Sequence, residues 1–424
     1  MKRLGIFQTT TGLLRPSFRP KYSTLALMAF ALVVWAFTDH VRVQSATRSA
    51  SIEASAPLGS AGSQDKDRVQ VAAYYFPGWH DDPEFKPGEL GEWNGLKQAK
   101  PRFPGQYQPR IPLWGYQNEA DPTVMEQKID AAATHGVDIF LFDWYWYDRA
   151  GRSGPMLQRA LDNGYLKAPN HERVKFALMW DNSIGDAKTL PIGRAGFEKM
   201  TDHIVKNYFP LDSHWTVDGQ CYFSIYNLID FLQEMGGLQG ANEAIDSFRA
   251  KTIASGRKGL HLNIIDFRLP ENAREVFQTL GVDSITSYVW VHKIKLKDFP
   301  KTNYNWMAHA YFSYWDAHQN DYGVPYFPNV ATGWDPTPRI PASSPYDGKG
   351  PYPNTPILWG NSPQNFTAAL IQARERAAKL PPGQRVVTIY AWNEWTEGGN
   401  LEPETVHKMA YLDAVREVFA VPAR

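Results

Sequence analysis

Eight short apolar runs, each followed by a helical pattern, succeed one another from residue 68 to the end of the chain, and this alternation limits the fold more than any other feature. The runs are residues 69–76, 137–143, 174–180, 222–226, 260–265, 284–290, 324–330 and 386–392. Each is short and rich in β-branched and aromatic residues, as strands buried on both faces tend to be. Residues 324–330 form the weakest run, because Pro325 and Pro328 supply no backbone donor. Between the runs, residues 122–135 read as a helix with Asp121 as N-cap, Pro122 in its first turn and Gly136 as its stop. Further helices are predicted over 152–163, 195–208, 241–255, 271–280, 306–319, 364–380 and 404–419. A strand–helix unit repeated in this way predicts an α/β chain of the (β/α)8 TIM-barrel type over residues 68–424. An open doubly wound sheet is the competing architecture. No Gly-x-Gly-x-x-Gly turn follows the first run, which counts against its nucleotide-binding form.

Ahead of the barrel, residues 1–22 carry Lys2, Arg3, Arg15, Arg19 and Lys21 and no acidic residue. Residues 23–38 (STLALMAFALVVWAFT) are uncharged and mostly apolar, slightly short for a spanning helix and slightly long for a signal core. The preceding positive charge predicts a cytoplasmic N-terminus and a barrel on the far side of the membrane, periplasmic or extracellular. An uncleaved signal anchor is favoured; a cleaved signal peptide, which would export the domain, also fits. Residues 39–67 are rich in Ser, Ala and Gly and read as a flexible linker. Lys and Arg total 44 and Asp and Glu total 44, a balance that argues against nucleic acid as a partner. With Cys221 alone there is no intrachain disulfide and no cysteine zinc site.

Barrels of this kind carry their chemistry at the C-terminal ends of the strands. Those ends supply Trp79 and His80, then Asp143, Trp144 and Trp146, then Trp180, Asp181 and Asn182, then Asn227. Asp266 follows the fifth run, Tyr288, Trp290 and His292 end the sixth, and Trp334 follows the seventh. The eighth ends in Asn393, Glu394, Trp395 and Glu397. Aromatic faces beside amides and carboxylates suit sugar rings, which join polar edges to apolar C–H faces, so a polysaccharide or oligosaccharide is the expected partner. For each Asp, Asn or His alone, capping or loop bracing is an equal reading. Some of the tryptophans must pack as core, and two or three are expected to stack on sugar.

Glu394 and Glu397 are the candidate catalytic residues. Glycosidic bonds need a proton for the leaving oxygen and a base or nucleophile at the ring, and two carboxylates are the usual solution. A helical turn at this point would put residues three apart on one face, and Gly398 and Gly399 would let it end tightly. The competing reading is a pair of solvated loop glutamates. The strand-end position and the flanking Trp392 and Trp395 favour chemistry. No compact set of metal ligands appears among the 11 histidines, so neither metal nor cofactor is predicted. Asp65-Lys66-Asp67 reads as solvated linker charge, and Asn365-Phe366-Thr367 is a low-specificity glycosylation sequon.

The run from Trp392 to Gly398, continued by Leu401-Glu402-Pro403, resembles the signature of glycoside hydrolase family 99 and of the related WbsX-type proteins of polysaccharide loci. Tyr74 to Trp79 and Gly136 to Trp146 are similar to that group's first two barrel strands. The resemblance implies a (β/α)8 barrel and endo-acting, retaining cleavage of α-mannoside-like linkages without a metal. It implies that Glu394 deprotonates the sugar 2-hydroxyl, giving a 1,2-anhydro intermediate, and that Glu397 acts as general acid and then base. Thr396 departs from the family's mannosidases, which commonly have His there; the glutamate pair is intact and the sugar is left open. The WbsX name implies an alternative, a glycosyltransferase of surface-polysaccharide assembly. A carbohydrate-binding protein without activity is a third reading.

Overall fold

The computed structural model describes residues 67–82, 91–149, 152–183 and 191–420. The expected anchor at 23–38, the basic segment before it and almost all of the linker lie outside the described residues.

The strands are β1 (Gln70–Tyr75), β2 (Ile139–Arg149), β3 (Lys175–Trp180), β4 (Gln220–Ile225), β5 (Leu260–Ile265), β6 (Ser284–Thr286), β7 and β8 (Val386–Tyr390). Strand β7 comes as two halves, Tyr326–Phe327 and Asn329–Ala331. Parallel pairing runs from the first half of β7 through β6, β5, β4, β3, β2, β1 and β8 to the second half of β7. The two edges of the sheet are therefore one chain run interrupted at Pro328, and the eight runs enclose a barrel consistent with the (β/α)8 class. The prolines explain both the break and its tolerance. Neither can donate, but the Pro325 carbonyl accepts from the Ile285 amide (2.9 Å) and the Pro328 carbonyl from the Thr388 amide (3.0 Å).

Helices α1 (Pro122–Thr134), α2 (Gly193–Asn207), α3 (Leu238–Ala254), α4 (Ala273–Leu280), α5 (Tyr304–His318), α6 (Pro363–Ala377) and α7 (Ala410–Phe419) accompany the strands. In α1 the Asp121 carboxylate accepts from the Thr123 amide (2.9 Å), and Met125, Ile129 and Ala132 share its buried stripe. Two expected helices differ. Residues 152–163 form instead a strand, Arg152–Met156, and a short helical turn, Ala160–Gly164. Pro155 inside the expected helix removes its bonding, while β2 runs on past the barrel and offers an antiparallel partner, with Tyr145 opposite Met156. The last helix starts at Ala410 rather than residue 404, because the Glu404 carboxylate takes the Val406 and His407 amides (2.6 and 2.5 Å) and closes a turn.

Candidate active site

Strand β8 ends at Tyr390, and the chain then makes a tight hairpin. Asn393 pairs with Asn400 and Glu394 with Gly399, and its tip is a single 3-10 turn, Trp395–Glu397. Gly398 leaves that turn at φ +69, and a Cβ there would lie 2.9 Å from the Asp335 backbone nitrogen, so the turn needs glycine twice over. Both glutamate side chains line one cavity of about 890 Å³ over the barrel.

Arg339 joins them. Its Nη2 lies 3.3 Å from Glu394 Oε2 and 3.5 Å from Glu92 Oε2, and its Nη1 lies 3.5 Å from Glu397 Oε1. Its Nε donates to Thr396 Oγ1 (2.9 Å), whose own hydroxyl donates to Glu92 Oε2 (2.8 Å). Phenols complete the set. Tyr352 donates to Glu397 Oε1 (2.5 Å), Tyr390 donates to Glu397 Oε2, and Tyr288 donates to Asp143 Oδ2 (2.7 Å) and Glu394 Oε1 (3.4 Å). Burial pushes Glu394 well above the usual carboxylate range, with the neighbouring Glu397 adding and Arg339 opposing. Burial does the same to Asp143, helped by Asp181 and Glu397 and opposed by the Tyr288 hydroxyl. The phenols of Tyr288, Tyr352 and Tyr390 are raised above their ordinary value, chiefly by burial, and stand as donors.

Of the residues predicted at the strand ends, Glu394, Glu397, Asp143, Asp181, Asn227, Tyr288 and Trp334 line the cavity. Trp79, His80, Trp144, Trp146, Trp180, Asn182, Trp290, Asn393 and Trp395 do not. Strand alternation accounts for four of these. Asp143 and Tyr145 face the cavity while Trp144 and Trp146 point the other way, onto His203 and Tyr208; Met179 and Asp181 face it while Trp180 packs on Phe197 and Phe231, and Asn182 holds Asn227 through its backbone. Trp290 turns into Tyr304 and Tyr311. Trp79 stacks on Trp93 and donates to the Asn393 carbonyl, and His80, fully buried, meets Asp82. Asn393 clamps β1 by bonding both Phe76 backbone groups, each at 2.8 Å. Asp266 and His292, also named from the sequence, divide: His292 lines the cavity, while Asp266 is held in the barrel by Tyr326, Tyr314 and Lys293.

Glu92, Arg339 and Tyr352 are among the cavity residues that escaped the sequence reading. Arg339 and Tyr352 lie in the long irregular stretch between β7 and the strand Ile357–Trp359, and a loop of that length is itself a functional signal. Among the described residues, no three His, Cys, Asp or Glu side chains are grouped to hold a metal ion, and no helix is long and apolar enough to cross a membrane.

Beneath the hairpin lies a sealed charge cluster. Lys128 Nζ contacts Glu119 Oε1 (2.6 Å) and Glu402 Oε1 (2.8 Å), and none of the three is more than 1% exposed. Glu119 also receives Asn393 Nδ2 (3.0 Å), and Glu402 receives Trp395 Nε1 (3.4 Å), so the first strand of the hairpin and its tip are both tied to it.

The fold is a (β/α)8-type barrel whose mouth is lined by carboxylates. The family model described as glycosyltransferase WbsX matches residues 71–415, and the chain belongs to that family. The chain is 25% identical over 367 residues to the uncharacterized protein WxcX of Xanthomonas campestris pv. campestris strain B100, covering 82% of this chain and 49% of WxcX, so it spans about half the length of the curated relatives it matches. Among solved structures it resembles the family 99 endo-alpha-mannosidase of Bacteroides thetaiotaomicron at 16% identity and TM-score 0.51, over 82% of this chain and 95% of that one. It also resembles a glycoside hydrolase-like protein at 16% identity and TM-score 0.55, over 86% and 98%. These structural likenesses concern the fold.

Proposed function

We propose that this domain is an endo-acting, retaining glycoside hydrolase that cleaves α-mannoside-like bonds in a polysaccharide. The observation that carries the reading is the convergence of Glu394 and Glu397 on Arg339 at the floor of one cavity. Burial and the neighbouring Glu397 disfavour the ionised form of Glu394, and Arg339 between the two opposes them. Glu397 delivers the proton to the leaving oxygen, and Glu394 draws the proton from the sugar 2-hydroxyl. The raised pKa of Glu394 makes it a stronger base once ionised. Asp143 and Tyr288 border Glu394 and are placed to hold ring hydroxyls.

The test is product analysis on a panel of defined polysaccharides, followed by two variants assayed on aryl glycosides. Glu397→Gln should lose most of its activity on a poor leaving group and regain much of it on dinitrophenolate, which needs no protonation. Glu394→Gln should be inactive on both. The reverse pattern would exchange the two roles, and full activity in both variants would end the proposal.

The family description favours a second reading, transfer of the sugar to an acceptor hydroxyl by the same carboxylates. Longer oligosaccharides instead of new reducing ends would identify it. We also propose that residues 1–38 carry the domain across a membrane. Alkaline phosphatase fused after residue 67 should be active in cells, and an inactive fusion that is stably made would refute export.

A further inference from the structure

The charges lining the cavity are sorted by sector of the barrel. Glu394 and Glu397 follow β8, Glu92 follows β1, Asp143 lies within β2 and Asp181 follows β3, and these four strands are neighbours in the sheet. Arg268 follows β5, and Lys295 and Lys297 follow β6, on the opposite side of the barrel. The remaining cation of the lining, Arg339, is committed to Glu92, Glu394 and Glu397. The three cations opposite are not neutralised in the same way. Lys297 Nζ sits 3.9 Å above the Trp306 ring, which fixes the ammonium without cancelling its charge. Arg268, half exposed, approaches Asp230 only to 3.6 Å, and Asp230 is also bonded by Asn227. Lys295 is exposed, with no ion pair or hydrogen bond among the described residues. Phe267, Val291 and Leu296 lie among them in the lining, offering apolar surface for a ring face beside a charged substituent.

A neutral glycan would gain little from three cations on one wall. We infer that the sector over β5 and β6 is a subsite for an anionic sugar, one carrying a carboxylate, phosphate or sulfate, so that the substrate is an acidic polysaccharide cut at a bond one or more residues from the charged unit. The inference rests on the hydrolase reading for the cut and on the cation wall alone for the charge. A cavity of about 890 Å³ lies at the large end of the usual range of roughly 300–1,000 Å³ for ligand sites, which suits an oligosaccharide rather than one sugar.

The probe is a glycan array of matched neutral, uronic-acid, phosphorylated and sulfated oligosaccharides, read with the full chain carrying Glu397→Gln. Retention of anionic members that weakens as salt is raised is expected. Adding Lys295→Ala, Lys297→Ala or Arg268→Ala should lower that retention about tenfold each and leave neutral members unaffected, the size of one lost charge-assisted contact. Lys295→Arg should keep it. Retention of neutral glycans alone, of neutral and anionic glycans equally, or of none overturns the inference. Anionic binding without cleavage by the unsubstituted chain would uphold this subsite and sink the hydrolase reading; cleavage of neutral glycans indifferent to Lys295 would do the opposite.

Discussion

Two clusters in this barrel join one cation to carboxylates, and access to water separates them. Lys128 lies between Glu119 and Glu402 with all three side chains at most 1% exposed. Arg339 lies among Glu92, Glu394 and Glu397 with 28% of its own side chain exposed and the last three at 22%, 5% and 11%. In the sealed cluster, Lys128 keeps its charge against the burial that opposes it, held by Glu119 and Glu402. Every contact there ends on protein, including the two hairpin bonds from Asn393 and Trp395. In the open cluster the carboxylates face a cavity, so a ligand can compete with Arg339 and the phenols for their oxygens. The same ion-pair chemistry thus serves as a footing in one place and, on the function proposed, as reactive equipment in the other, and what decides is whether a ligand can reach it.

The largest effect should come from the footing. Lys128→Met leaves two carboxylates facing each other without a cation in a dry interior, and breaking such a buried pair costs about 3–5 kcal/mol. Chemical denaturation should show that loss, and substituting Glu119→Gln and Glu402→Gln alongside should restore part of it. A stable single variant would erase the distinction between the clusters. Glu397→Gln should do the converse, cutting turnover by about 10²–10⁴-fold, the usual contribution of a positioned acid–base group, with an unchanged unfolding transition. Tyr352→Phe removes one phenol from Glu397 and should cost about tenfold in kcat/KM, as expected for one hydrogen bond to a charged group, with no loss of stability because Tyr352 sits in an exposed loop. An unfolding transition shifted as far as that of Lys128→Met would make Tyr352 part of the footing.

The same division governs what the sequence could reveal. The strand runs, the N-cap at Asp121 and the glutamate turn before Gly398 are local patterns, and they appear where the pattern puts them. The strand-end tryptophans were also visible, but which way they point depends on register. Asp143 and Trp144 are adjacent in sequence and on opposite faces of β2, a difference decided by β2 running straight through the rim to Arg149. Arg339 and Lys128 were illegible for another reason. Each is an ordinary surface-type residue by its neighbours, and apart from Glu119, nearby in sequence to Lys128, its partners come from strands and loops far along the chain. The closed barrel brings them together, and no spacing rule anticipates that.

The smallest and most discriminating signal is a pair of pH dependences with opposite signs. Glu394, Asp143 and Glu402 all have pKa values raised by burial, so between the ordinary carboxyl range and their raised values the folded chain binds more protons than the unfolded one. Stability is then fully present below about pH 4 and falls as pH rises through the folded-state values. Glu394→Gln should flatten that fall by removing its share. Activity should run the other way, because Glu394 must lose its proton to act as a base, so the rising limb of the pH–rate profile spans the window in which stability declines. Arg339 is the cation that pulls the Glu394 value down, and Arg339→Met should move this limb to higher pH. Lys128→Met gives the contrast: it lowers stability throughout, and the limb stays where it is if the sealed cluster only supports the hairpin. A limb displaced equally by both substitutions would mean that the two clusters titrate as one network, and the barrier between footing and reactive site would be lost.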